Sequence, residues 1–415
     1  MFRPSLFNSA SRRAIGRNLA LDLLVAIGMG VTMALVNAIL PTVARRGGLE
    51  PLGLSALAAA PFIANLLGAF AGRLGPRNTA QLTLTRGIGA ASLLVLFLVP
   101  PAPVLIAVAT VFWLSLSFGG PFHLRLWGAM YPARLRGRVV GVLGMGRAAA
   151  GALAAFGGGI LADRIGGEQA VAVAGVIGVA CAIGYVGLRA ASAERPAPFS
   201  ARDSIRALRE RPLLGRIALA QGFYGGGLIA AAPLYALVHV DRLNLSLSDV
   251  GVIGILGAIA TTVAFPVWGL VADRHGSVNA LRLGSAIGLG SLVAYAVAPS
   301  VVLLWLAAIV AGIGSASIDV GIAAAVSDAT PMASRAAAMA GWNAITGARG
   351  IVAAFLMSAL LQLGFVDVRT GLLLCAATSG VGVLLFARAG RVPATTATVA
   401  ARPQVNAEGL VPSVR

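Results

Sequence analysis

Lysine is absent from the 415 residues, and aspartate and glutamate together number only 14. Charged side chains make up 11% of the chain, against about 25% in soluble globular domains. That scarcity excludes a soluble fold. With 58% hydrophobic residues and a mean hydropathy of +0.89, too little polar surface exists to cover the interior. Cysteine is nearly absent too. Cys181 and Cys375 lie inside apolar runs, which excludes a disulfide framework or metal spacing and leaves them as inert core thiols. The net charge of +18 would suit a nucleic-acid partner. Here, however, the basic residues are arginines in short loops between apolar runs. Such a distribution orients a chain in a bilayer, and no nucleic-acid partner is expected.

What the sequence has in abundance is apolar stretches. A spanning helix needs about 20 such residues. Twelve are predicted, at 19–41, 52–72, 79–100, 103–127, 138–161, 168–188, 215–238, 248–271, 279–298, 301–325, 336–362 and 369–388. The first reads as a retained span and not a removed signal, because no small-residue cleavage site follows it. Loops on one side carry 23 arginines and those on the other carry five. This bias places both termini in the cytoplasm. The fold class is therefore an all-α polytopic membrane protein. A six-helix bundle over 1–188 is followed by a cytoplasmic central loop over 189–214. A second bundle covers 215–390, and the Pro/Thr/Ala-rich tail 391–415 is expected to be disordered. In the central loop, Asp203 to Arg211 has apolar residues at helical spacing among charges, which predicts a short amphipathic helix.

The two halves resemble each other. Gly68-Ala-Phe-Ala-Gly-Arg-Leu-Gly75 ends the second span and Gly269-Leu-Val-Ala-Asp-Arg-His-Gly276 ends the eighth. From Pro132 and Pro331, an arginine (Arg136, Arg335), a glycine (Gly151, Gly350) and a phenylalanine (Phe156, Phe355) recur at equal distances. Two matches at nearly one offset indicate duplication.

These residues resemble the major facilitator superfamily over nearly the whole chain. Gly269 to Gly276 matches the family's G-x-x-x-D-R-x-G loop. Tyr131 to Arg138, Asn37-Ala-Ile-Leu-Pro41 and Pro233-Leu-Tyr235 are also similar to family segments. The resemblance implies two six-helix bundles, pseudo-symmetric, rocking about a central cavity. It also implies a cytoplasmic gate loop of Gly269, Asp273, Arg274 and Gly276. Asp273 would accept from the free N–H groups at the start of the fifth helix, with Arg136 or Arg138 as charge partner. Gly72 stands where the first half's aspartate belongs, so its latch near Arg335 is expected to be weak.

A charge at mid-membrane needs a partner or a wet cavity. Arg147 and Arg349 lie deep in the equivalent fifth and eleventh spans, where they could bind an anionic group or pair with a carboxylate. Asp319 is the deepest acid, suited to carry a proton or to pair with either arginine. Asp22 reads as an interfacial or gate residue, and Arg86 and Arg125 as snorkelling side chains. Histidine is the side chain suited to switch charge in the physiological range, which makes His123 a coupling candidate. By resemblance Gln221 and Tyr224, in the seventh span, line the cavity. Asn37 is polar at depth. Gly137, Gly141, Gly144, Ala148 and Gly151 form a stripe that would allow close helix approach.

The expected function is secondary active transport of a small organic solute by a monomer in a bacterial inner membrane. No cofactor or ATP site is visible. Proton-coupled efflux is favoured, although Gly157-Gly-Gly159 lacks the proline of the efflux branch's fifth-helix motif. An uptake permease for an anionic metabolite and a non-transporting sensor on the same fold are the alternatives. The orientation is testable. Leu363→Cys should react with a membrane-impermeant thiol reagent in intact cells, and Ser204→Cys only after the cells are opened. The reverse pattern would overturn it.

Overall fold

The computed structural model describes residues 9–68, 75–189, 206, 208–330 and 335–389. Twelve helices among them are long and apolar enough to cross a bilayer. They are α1 (Arg13–Arg46), α2 (Pro51–Gly68), α3 (Thr79–Leu98), α4 (Ala102–Met130), α5 (Leu135–Ile165), α6 (Gly167–Gly187), α7 (Pro212–Arg242), α8 (Leu247–His275), α9 (Ser277–Val297), α10 (Val301–Ala329), α11 (Ala338–Gln362) and α12 (Val368–Ala389). Helix is the only way for a single segment to satisfy its own backbone polar groups in hydrocarbon. Several spans overrun their predicted limits, most of all α1. Hydropathy falls where the helix reaches the headgroups, but its hydrogen bonding continues.

Two helices are irregular at corresponding heights. The α1 rod breaks after Ala38 and resumes over Leu40–Arg46, with Pro41 at the start of the second piece. A proline has no N–H to donate and suits a first turn. The α7 rod contains Pro233 and closes in a π-turn over Val238–Arg242. Such turns often mark functional positions.

The halves α1–α6 and α7–α12 meet chiefly through two helix pairs, α5 on α8 and α2 on α11. Helices α5 and α11 hold matching places in the two halves, as do α2 and α8. The same contact is thus made twice, as a duplicated chain would make it. At the first crossing the backbones touch. A Cβ at Gly159 would overlap the carbonyl oxygen of Leu247, and one at Gly251 would lie 2.5 Å from the Ala155 carbonyl oxygen.

The expected glycine stripe is corrected here. Of its glycines only Gly151 meets a neighbour, the Gly30 backbone of α1. Nothing lies within 4 Å of a Cβ at Gly137, Gly141 or Gly144. Close approach occurs further along α5, where the halves converge. In the central loop, Arg206, Leu208 and Arg209 are helical and Leu208 is buried. Residues 203–205 and 207 of the amphipathic segment, Gly72, the Arg335 side chain and the tail lie outside the described residues.

Gly159→Val should strain the α5–α8 crossing by about 1–3 kcal/mol, the usual cost of overpacking. A Tm in detergent equal to that of the parent would show that the crossing has slack.

Candidate functional site

Among the described residues, every hydrogen bond between the halves lies at one end, opposite the end where the chain begins and finishes. Asp163, at the end of α5, accepts from the backbone N–H groups of Leu247 and Ser248, each at 2.8 Å, and from the Ser248 hydroxyl at 2.5 Å. These are the first N–H groups of α8, which lack partners in their own helix and form its positive end. Arg45 makes a bidentate contact with Asp241 at 3.0 Å, and Arg46 donates to the Leu245 carbonyl. Ser55 donates to the Ala354 carbonyl at 2.8 Å, and Gln362 joins Glu50 at 2.8 Å.

Behind this closed end, between the halves, lies a cavity of about 370 Å³. At its floor His239, inside the π-turn, sits between Thr42 (3.3 Å) and Tyr295 (3.2 Å). A neutral imidazole has one donor and one acceptor nitrogen, so it can serve both hydroxyls. Thr42 belongs to the first half, so this bond also ties the halves. The Tyr235 and Tyr295 rings stack at 4.2 Å, and Phe62 and Trp113 face the cavity from the first half. Asn37 is exposed to it and makes no hydrogen bond among the described residues.

A second polar cluster is sealed inside the first half. Asp22 of α1 is 1% exposed. Its carboxylate meets His123 Nε2 at 2.7 Å and accepts from Trp127 Nε1 at 2.6 Å and from the Tyr131 hydroxyl at 3.3 Å. The other His123 nitrogen lies 3.4 Å from the Tyr185 hydroxyl. Arg86 is buried beside Tyr185, with Nε and Nη1 unpartnered. It lines a void of about 20 Å³, enough for one water. Two expectations are corrected. Asp22 is a core carboxylate and not an interfacial one, and Arg86 does not snorkel. Span position alone could not show that α3, α4 and α6 turn polar side chains towards α1.

The other predicted residues are dispersed. Arg349 is half-buried and donates to the Gln221 carbonyl. Arg147 is exposed, within electrostatic reach of Asp319 on the facing half. Among the described residues neither arginine bonds a carboxylate. Tyr224 is 1% exposed and packs edge-on against Phe386, and Gln221 is buried. Both point into the second half, because the cavity face of α7 is taken by Pro233, Tyr235, Ala236 and His239. In this conformation they do not line the cavity. Asp273 and Arg274 are exposed, Asp273 makes no bond among the described residues, and Arg136 donates to the Gly128 carbonyl. The expected latch is unmade in this state.

Sequence reasoning missed His239, Tyr295, Phe62 and Trp113 at the cavity, which stand in no local pattern, and Asp163 at the closed end. Gly159-Ile-Leu-Ala-Asp-Arg-Ile-Gly166 repeats the G-x-x-A-D-R-x-G pattern of Gly269 to Gly276. Both segments end on a glycine with positive φ, 102° and 85°. The copy joins the fifth and eighth spans, not equivalent spans of the two halves, so a search at the half-chain offset passes over it.

The Major Facilitator Superfamily family model matches residues 217–410. No curated protein matches the chain in sequence. Among solved structures, the nucleoside transporter NupG (D323A mutant) is similar at a TM-score of 0.73 and 14% identity, over 89% of this chain and 99% of that one. The POT family transporter PepTSo gives 0.71 and 11%, over 91% and 98%. A bacterial homolog of the human lysosomal transporter Spinster, inward-facing and unoccupied, gives 0.67 and 14%, over 93% and 98%.

Asp163→Ala should favour the state open at this end. The cap is exposed, so the shift falls in the lower part of the usual range of about 0.5–2 kcal/mol. Asp241→Ala breaks a pair that is partly exposed (26% and 42%) and should cost less than about 1 kcal/mol. Distances between spin labels at Ile165 and Leu363 report both. No widening in Asp163→Ala would remove it from the gate.

Proposed function

We propose, from the premise that the chain is of major-facilitator type by sequence over 217–410 and by fold throughout, that it is a proton-coupled secondary transporter. It would carry a small organic solute through the inter-half cavity by alternating access, with the arginine-rich end in the cytoplasm of a bacterial cell. One observation carries this reading: among the described residues, the hydrogen bonds between the halves lie at one end, with the cavity directly behind them. Breaking those bonds and forming others at the far end would expose the same cavity to the opposite side. Asp273, at the end of α8, would supply one of them. Efflux is the direction favoured by a sequence without a nutrient-uptake signature.

The coupling proton is assigned to the Asp22–His123 pair. The carboxylate is enclosed, and charge cannot be added or removed inside a low-dielectric bundle without altering its hydrogen bonds. When the pair loses or gains a proton, the 2.7 Å bond between α1 and α4 changes strength. Helix α1 also carries Asn37 and Thr42 at the cavity, so the proton site and the solute site share one rod.

The test uses proteoliposomes. Asp22→Asn should keep solute counterflow, which needs no gradient, and lose the acceleration given by a pH gradient. His123→Gln should do the same. Equal pH-driven flux in both variants would remove the pair from coupling, and no counterflow of any solute by the parent would favour a non-transporting sensor.

A further inference from the structure

We infer that the cavity selects an uncharged solute with a planar ring, held between aromatic side chains of the two halves. The inference rests on the transport reading only in taking this cavity as the solute's site. The walls are aromatic on both sides, with Phe62 and Trp113 from the first half and Tyr235 and Tyr295 from the second. Tyr235 and Tyr295 brace each other, their planes 38° apart, which makes a stiff platform. Such faces hold a flat ring by offset or edge contact. Because the walls come from different halves, a ring between them touches both bodies that must move.

The polar groups at the cavity are neutral. Asn37 keeps a free carbonyl and a free amide group, able to pair with one acceptor and one donor on the ring. Both ring nitrogens of His239 are engaged at the floor. No charged side chain lines the cavity among the described residues. The deep arginines are not among its lining residues: Arg349 donates to the Gln221 carbonyl, and Arg147 is exposed, within electrostatic reach of Asp319. A charged solute would lose its water there and gain no opposite charge, whereas a neutral ring loses little. The size agrees. About 370 Å³ lies at the small end of the range of about 300–1,000 Å³ for ligand pockets, which suits one or two rings.

Naphthamide, naphthoate and naphthylmethylammonium share a ring system and differ in charge, so they are the probes. The full-length protein in detergent is titrated with each by calorimetry. Naphthamide should bind about tenfold or more tighter than either ion. Trp113→Ala and Asn37→Ser should each weaken it by about tenfold, and Arg147→Ala should leave it unchanged. Asn37→Ser leaves the walls intact and keeps the test valid if Trp113→Ala fails to fold. Naphthoate binding as tightly as naphthamide, or no naphthamide binding up to about millimolar concentration, would overturn the assignment. Counterflow of the same probes separates the two readings. Naphthamide that binds through Asn37 and Trp113 but never crosses would sink transport and leave the site. Ions that cross while naphthamide neither binds nor crosses would sink the site and leave transport.

Discussion

A carboxylate at the end of one helix grips the free N–H groups at the start of another, and the arrangement of the halves follows from that grip. Asp163 of α5 holds Leu247 and Ser248 of α8. The two helices run antiparallel, so each finishes beside the other's beginning. Both finish on A-D-R-x-G. One helix pair therefore ends on the same motif at both faces, and among the described residues Asp163 is bonded while Asp273 is not. Rigid helices crossing at Gly159 and Gly251 have little freedom to close both ends at once. On the transport reading proposed above, alternation would be written into one helix pair before any solute is considered.

The buried ionisable cluster and the cavity between the halves occupy different parts of the molecule. The buried ionisable groups of the first half, Asp22, His123 and Arg86, are enclosed by Trp127, Tyr131 and Tyr185. The cavity between the halves is aromatic and uncharged among the described residues. The separation has a physical logic. Deep charges need fixed partners, and a wall that moves offers none. A wall of rings and one free amide can slide against its neighbour at small cost.

The fold was nearly all legible in the sequence, because spans are set by hydrocarbon thickness and one missed helix would have scrambled the arginine alternation. The site was legible only in part. Depth along a span singled out Arg147, Arg349 and Asp319, but depth does not say which way a helix faces. Tyr224 and Gln221 point into their own half, since α7 presents Tyr235 and His239 to the cavity. Asp22 looked peripheral because its partner is 101 residues away, and a contact across α1 and α4 leaves no local pattern. Asp163 was readable in principle, through the repeated G-x-x-A-D-R-x-G.

The α5–α8 crossing acts as a fulcrum set far off centre. Gly159 lies six residues from the Ile165 end of α5 and 24 from the Leu135 end, arms of about 9 and 36 Å at helical rise. If α5 tilts as a rod about that point, about 1 Å of travel at Asp163, about 6 Å from it, becomes about 6 Å at the far end. A hydrogen bond is lost over roughly such a displacement at the short arm. Rupture of a few bonds on one face would then be matched by a several-fold larger movement on the other.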